Sequence, residues 1–139
     1  MYLKNIIILC MIILLQACVA VSDVEVENDN TNPQIQISGV LNFSSPTLLP
    51  QNSKVTVAVI DRNKTDSVLT YKTYSIGKLP APFFLLVPKN KIDKKADYII
   101  WASVQVNGIE ILRTNNKNDD YRVINNSANY ATVVLEVIE

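Results

Sequence analysis

The sequence predicts an all-β domain over residues 34–139, a small antiparallel β-sandwich or partly closed barrel of about seven to eight strands. Three observations carry that expectation. From Gln34 onward apolar residues recur at every second position, the spacing of strands with one buried face. Turn and breaker residues return every eight to twelve positions or so, and no long helical period competes. Asn107-Gly108 separates two alternating apolar runs, the strongest short-range hairpin signal, because both central residues of a type I′ turn need positive φ.

Taken in order, Ile35, Ile37, Gly39, Leu41 and Phe43 alternate with Gln36, Ser38, Val40 and Asn42 as the first strand. Val55, Val57 and Val59 mark the second, Tyr71 to Ile76 the third and Phe83 to Val87 the fourth. The hairpin joins Tyr98–Val106 to Ile109–Arg113, and Ala131 to Ile138 forms a final strand. The breakers fall between these runs: Pro46 and Pro50, Arg62 to Asp66, Leu79-Pro80-Ala81-Pro82, and Asn115 to Asp120. Only Ile92 to Ala96 has the composition of a helical turn. A domain of this size buries one modest core without disulfides.

The N-terminal residues follow a different logic. One early charge, Lys4, precedes the apolar run Ile6 to Leu15, and small residues follow. That is the order of a secretory signal, predicted here over residues 1–17. The run falls short of the roughly 20 apolar residues a spanning helix needs, and Asp23, Glu25 and Glu27 follow closely. Leu15-Gln16-Ala17-Cys18 resembles the end of a bacterial lipoprotein signal. That resemblance implies that Cys18 is acylated on sulfur, by chains such as palmitate, and becomes the mature N-terminus. Each buried methylene contributes about 0.8 kcal/mol, so several chains on one residue anchor stably where a single chain binds reversibly. Residues 18–33 read as the lipidated cysteine and a flexible tether, acidic and rich in Asn with no large aromatic. At about 5–6 Å × √n it spans around 20 Å on average.

Composition excludes several function classes. Cys10 and Cys18 are the only cysteines, and both precede the domain, so the domain offers no disulfide, thiol nucleophile or thiolate metal site. With no histidine in the chain, the commonest general base and metal ligand is missing. The reading is therefore of a non-enzyme without cofactor or metal. Lys and Arg together equal Asp and Glu, 13 each, so bulk electrostatics do not favour nucleic acid as a partner. The nearest basic patch, Lys89, Lys91, Lys94 and Lys95, is interrupted by Asp93 and Asp97 and lacks interleaved aromatics. It reads as a solvated loop.

The domain resembles the YbaY/YscW-like outer-membrane lipoproteins, which include the pilotin-type chaperones of type III secretion secretins. The landmarks, in order, are Ile37-Ser38-Gly39-Val40, Leu49-Pro50, Val55 to Asp61, Leu79-Pro80-Ala81-Pro82-Phe83, Ile92-Asp93, Tyr98 to Ala102, Val106-Asn107-Gly108 and Thr114. The resemblance implies a β-sandwich or barrel lipoprotein in the periplasm, anchored to the membrane through its lipid. It also implies a non-enzymatic protein-binding or chaperone-like role, with a secretin-like subunit or other envelope protein as partner. Val19, rather than Asp, follows Cys18, which by the same resemblance implies sorting to the outer membrane. A small-ligand or glycan-binding module, or a structural spacer, is the alternative, with Trp101, Tyr71 or Tyr74 as its aromatic patch.

The remaining residues with chemistry-bearing side chains are aromatics and carboxylates. Trp101 stands in the opposite phase to Tyr98, Ile100, Ala102 and Val104, but both phases are apolar there, so it is read as core. Phe83-Phe84 places one ring on each face of a strand. Asp61, Asp66, Asp93, Asp97, Asp119 and Asp120 are the available carboxylates. Asn118-Asp119-Asp120 lacks the alternating spacing of a calcium loop and reads as a turn.

Overall fold

Alternation along each strand drives one set of side chains inward, and the strands curl around that set. The computed structural model describes residues 32–64, 66–115 and 119–138. The signal peptide, Cys18 and nearly all of the tether lie outside the described residues. The strands are β1 (Gln34–Asn42), β2 (Thr47–Leu48), β3 (Ser53–Asp61), β4 (Val68–Ser75), β5 (Lys78–Leu79), β6 (Ala81–Pro88), β7 (Tyr98–Val106), β8 (Ile109–Thr114) and β9 (Tyr130–Val137). Seven of them form one sheet in the order β4-β3-β7-β8-β9-β1-β6, while β2 pairs with β5 apart from it. The two edge strands, β4 and β6, approach each other, and the Tyr74 hydroxyl donates to the Pro82 carbonyl across the gap at 3.3 Å. The sheet is therefore a nearly closed barrel, which hides most of what would be exposed edge.

The expected long strands are all present, and β2 and β5 are additions too short to show alternation. One pairing departs from a purely antiparallel design: β1 runs parallel to β9, with Gly39 opposite Ala131 and Leu41 opposite Val133. The chain reaches β9 only after the β7–β8 hairpin, so the last strand arrives beside the first in the same direction. The hairpin turns as expected, with φ of 50° at Asn107 and 81° at Gly108. The helical turn expected at Ile92 to Ala96 falls earlier, as a single 3-10 turn at Lys89–Lys91, followed by a turn closed by Ala96 N–H on the Asp93 carbonyl.

Inside the barrel, Ile37, Leu41, Val55, Val57, Val59, Val87, Ile100, Ala102, Val104 and Val133 are wholly buried, with Phe83, Leu85, Leu112, Ala131 and Leu135 nearly so. These positions stand opposite one another in register, for example Val57 to Ala102 and Ile37 to Leu85. Phe83 is core and Phe84 half exposed, as its alternate phase requires. Where the short β8–β9 ladder ends, Tyr121 takes over. Its hydroxyl accepts from Val134 N–H at 2.9 Å and donates to Val134 C=O at 3.1 Å. Among the described residues no helix is long and apolar enough to cross a membrane.

Candidate functional site

Trp101 belongs to the outer face of the barrel, which corrects its reading as core. Its partner in register is Ala58, and Ala58 in turn faces Tyr71 on β4. Those three residues make a row across β4, β3 and β7, with a small side chain between two aromatic ones. Neighbouring strands lie about 4.8 Å apart, so the two rings rise from backbones roughly 10 Å apart with a floor of one methyl between them. The result is a slot of about 430 Å³ between Tyr71 and Trp101, also lined by Val68, Ile60, Ile99, Arg62, Lys64 and Asp66. Tyr71 is 69% exposed and Trp101 half-buried, so both offer ring surface to solvent.

On the other side of Trp101 lies a broader trough of about 1100 Å³ over β8 and β9, lined by Phe43, Arg113, Val134, Glu136, Val137 and Ile138 among others. Val134 is an outward apolar residue, 40% exposed, and Val137, in the inward phase of β9, is 63% exposed where the strand ends. Trp101 is the ridge shared by both depressions. The surface thus combines a central aromatic residue, apolar flanks and a charged rim, the composition of a protein-docking patch. Tyr74, named with Trp101 and Tyr71 in the sequence reading, stands apart at the β4–β6 seam, where burial pushes its phenol pKa up.

On the outer face of β7, Ile99 is wholly buried and pairs through an isolated bridge with Arg122, beside a cluster of charged loop residues. Arg62, just after β3, donates to Asp97 from Nε at 3.0 Å and Nη2 at 2.6 Å, and to Asp119 from Nη1. Arg122 adds contacts to Asp97 at 3.1 Å and Asp119 at 3.6 Å. Three loops distant in sequence are thereby tied over one end of the barrel. Of the six carboxylates considered for chemistry, Asp97 and Asp119 are engaged in this tie. Asp61 is buried and accepts Asn63 N–H. Asp93 accepts Lys95 N–H and sits 3.9 Å from Lys64.

The hydrogen bond from Arg62, helped by the charge of Arg122, holds the Asp119 carboxyl below the usual Asp range. A carboxyl lowered in the folded state adds stability above its unfolded pKa and loses it as pH falls through the folded one. Asp119→Asn is therefore expected to unfold at lower urea than the parent at about pH 7, the difference closing as the pH drops below about 3.9. Equal urea midpoints of the two proteins at neutral pH would show that the tie does not stabilise the fold. Among the described residues no group of three or more His, Cys, Asp or Glu side chains is placed to hold a metal.

The comparisons with known proteins bear on the whole domain. The family model YscW, described as type III secretion system lipoprotein chaperone, matches residues 32–135. A solved structure of an alternative pilotin from the type II secretion system of Vibrio cholerae superposes with a TM-score of 0.67 at 22% identity, over 77% of this chain and 99% of that one. At that identity it establishes a shared fold. No curated protein sequence matches the chain.

Proposed function

The chain belongs to the YscW family of type III secretion system lipoprotein chaperones, and from that premise we propose that it is an outer-membrane lipoprotein, facing the periplasm, that escorts a secretin subunit without catalysing a reaction. The observation that carries this reading is the family match across residues 32–135. The absence of histidine from the chain and of cysteine beyond Cys18 supports the non-enzymatic part. Cys18 carries the acyl chains and is the first residue of the mature protein, and residues 19–33 link it to the barrel. The Trp101 surface is where the partner docks. It is the broadest concave surface with apolar flanks described above, and its central aromatic is already held half-buried, so little side-chain freedom is lost on binding.

Two measurements test the reading. Metabolic labelling with a clickable fatty acid is expected to mark the wild-type chain and to leave Cys18→Ser unmarked; an unmarked wild type would remove the anchor. Capture from detergent-solubilised membranes of the source cells is expected to retain a secretin subunit with the wild-type protein. Recovery of no envelope protein above the Cys18→Ala background would count against the chaperone role.

A further inference from the structure

The place where the chain enters the barrel is pinned to its most basic loop. Asn90 Nδ2 donates to Asn32 Oδ1 at 3.4 Å, and Lys89 N–H donates to the Pro33 carbonyl at 2.9 Å. Asn90 is the middle of the Lys89–Lys91 turn, so Asn32 meets the turn between two lysines. Lys89, Lys91, Lys94 and Lys95 are all exposed, and among the described residues none of them is within ion-pair distance of a carboxylate. The nearby acids are engaged elsewhere, Asp97 with Arg62 and Arg122 and Asp93 at Lys64.

The sequence just upstream is the complement of that loop. Residues 19–31 contain Asp23, Glu25, Glu27 and Asp29 and no lysine or arginine. Removing those four acids and Lys4 from the thirteen of each sign leaves twelve basic against nine acidic residues in 32–139. The neutral total of the chain therefore hides a separation of charge between tether and domain. Asp29 lies three positions from Asn32, a reach of at most about 10 Å, and Asp23 nine positions away, at most about 30 Å. Tied this closely, the carboxylates are presented to the lysines at an effective concentration on the order of millimolar or more.

We propose that the acidic segment Asp23 to Asp29 docks on Lys89, Lys91, Lys94 and Lys95. The alternative occupant of a basic loop beside a lipid anchor is a bilayer with anionic headgroups. Along the chain, however, the tether separates the domain from Cys18, and its own four carboxylates are repelled by lipid phosphate and drawn to the lysines. The docked segment shortens the standoff of the domain and screens the lysines from lipid. The docking itself requires no lipid on Cys18; only its effect on standoff rests on the lipoprotein reading.

The test uses the chain from position 18 with Cys18→Ser, compared with a version also carrying Asp23→Asn, Glu25→Gln, Glu27→Gln and Asp29→Asn. Amide NMR signals of residues 89–95 are expected to differ between the two at low salt and to converge in about 0.5 M NaCl, where the screening length falls to a few ångströms. Vesicles containing phosphatidylglycerol are expected to bind the neutralised version at least about tenfold more tightly than the parent. Superimposable spectra at low salt would overturn the docking. Equal vesicle affinity would do the same, by showing that the lysines are open to lipid in the parent. Changing the four lysines to Gln is expected to abolish the spectral difference and to shrink the vesicle difference to what loss of the four tether charges alone produces.

Discussion

Gly39→Ala is expected to destabilise the barrel by about 3 kcal/mol, the upper part of the range for adding bulk to a packed interior. Gly39 lies in the middle of β1, where that strand pairs with β6 on one side and, in parallel, with β9 on the other. A methyl group there would run into the Ala131 carbonyl and would stand 2.8 Å from two atoms of the Phe83 ring. The ring occupies the space a side chain would fill, so the glycine and the phenylalanine are two halves of one packing solution. The carbonyl is backbone and cannot rotate away, so a strand has to shift. Phe83→Leu, which frees the ring's space, is therefore expected not to rescue Gly39→Ala. Gly77→Ala is the control, since a methyl there meets nothing within 4 Å, and it is expected to stay within about 0.5 kcal/mol of wild type. Equilibrium urea unfolding reads all three, and a Gly39→Ala protein as stable as Gly77→Ala would refute the clash.

The strands and the hairpin were legible in the sequence because their determinants are local. Val55, Val57 and Val59 alternate with polar or small residues, and Asn107-Gly108 is a turn specified by two adjacent residues. What the sequence hid is non-local. The parallel pairing of β1 with β9 joins residues more than ninety positions apart, such as Ser38 and Tyr130, and no pattern in either strand names its neighbour. The phase of Trp101 was misread for a related reason. Apolar residues on both faces of β7 look like a strand buried on both sides, and of its outward residues Ile99 and Ser103 are indeed buried, Ile99 beside loops that Arg62, Asp97, Asp119 and Arg122 tie together. Between those two Trp101 is half-buried. The ion pairs span 35 and 57 positions, so this tie is visible only in three dimensions. The lysine loop shows the converse case. Its charge was plain in the sequence, but its significance waits on the position of Asn32 against Asn90.

Trp101→Ala is expected to cut capture of the secretin partner by about 30-fold or more, the loss typical of an aromatic residue at the centre of an interface. The slot toward Tyr71 and the trough toward Val134 and Val137 share this one side chain, so its removal merges two shaped surfaces into a shallow one. The fold should survive. Trp101 contributes nothing to the inward set of Ile100, Ala102 and Val104, and losing a half-buried ring on the outer face costs about 1–2 kcal/mol on the area scale. Phe84→Ala separates a specific site from general stickiness, because Phe84 is an outward ring even more exposed than Trp101, at 50%, but stands on β6. There its ring is capped by Lys72, 4.1 Å above the centroid. Loss of capture by Trp101→Ala with Phe84→Ala unchanged, both proteins showing cooperative unfolding, places the partner on the β3–β7–β8–β9 face. Equal losses from the two variants, or none from Trp101→Ala, would move it off that face. The geometry of the ends gives the assignment its functional sense. The chain enters beside the lysine loop, where β1 begins and β6 ends, whereas the trough runs to Phe43, Val137 and Ile138, where β1 and β9 finish. With Cys18 anchored as proposed, the trough would stand toward the end of the barrel opposite the chain's entry, while the slot reaches back toward the lysine loop through Lys64 and Asp93.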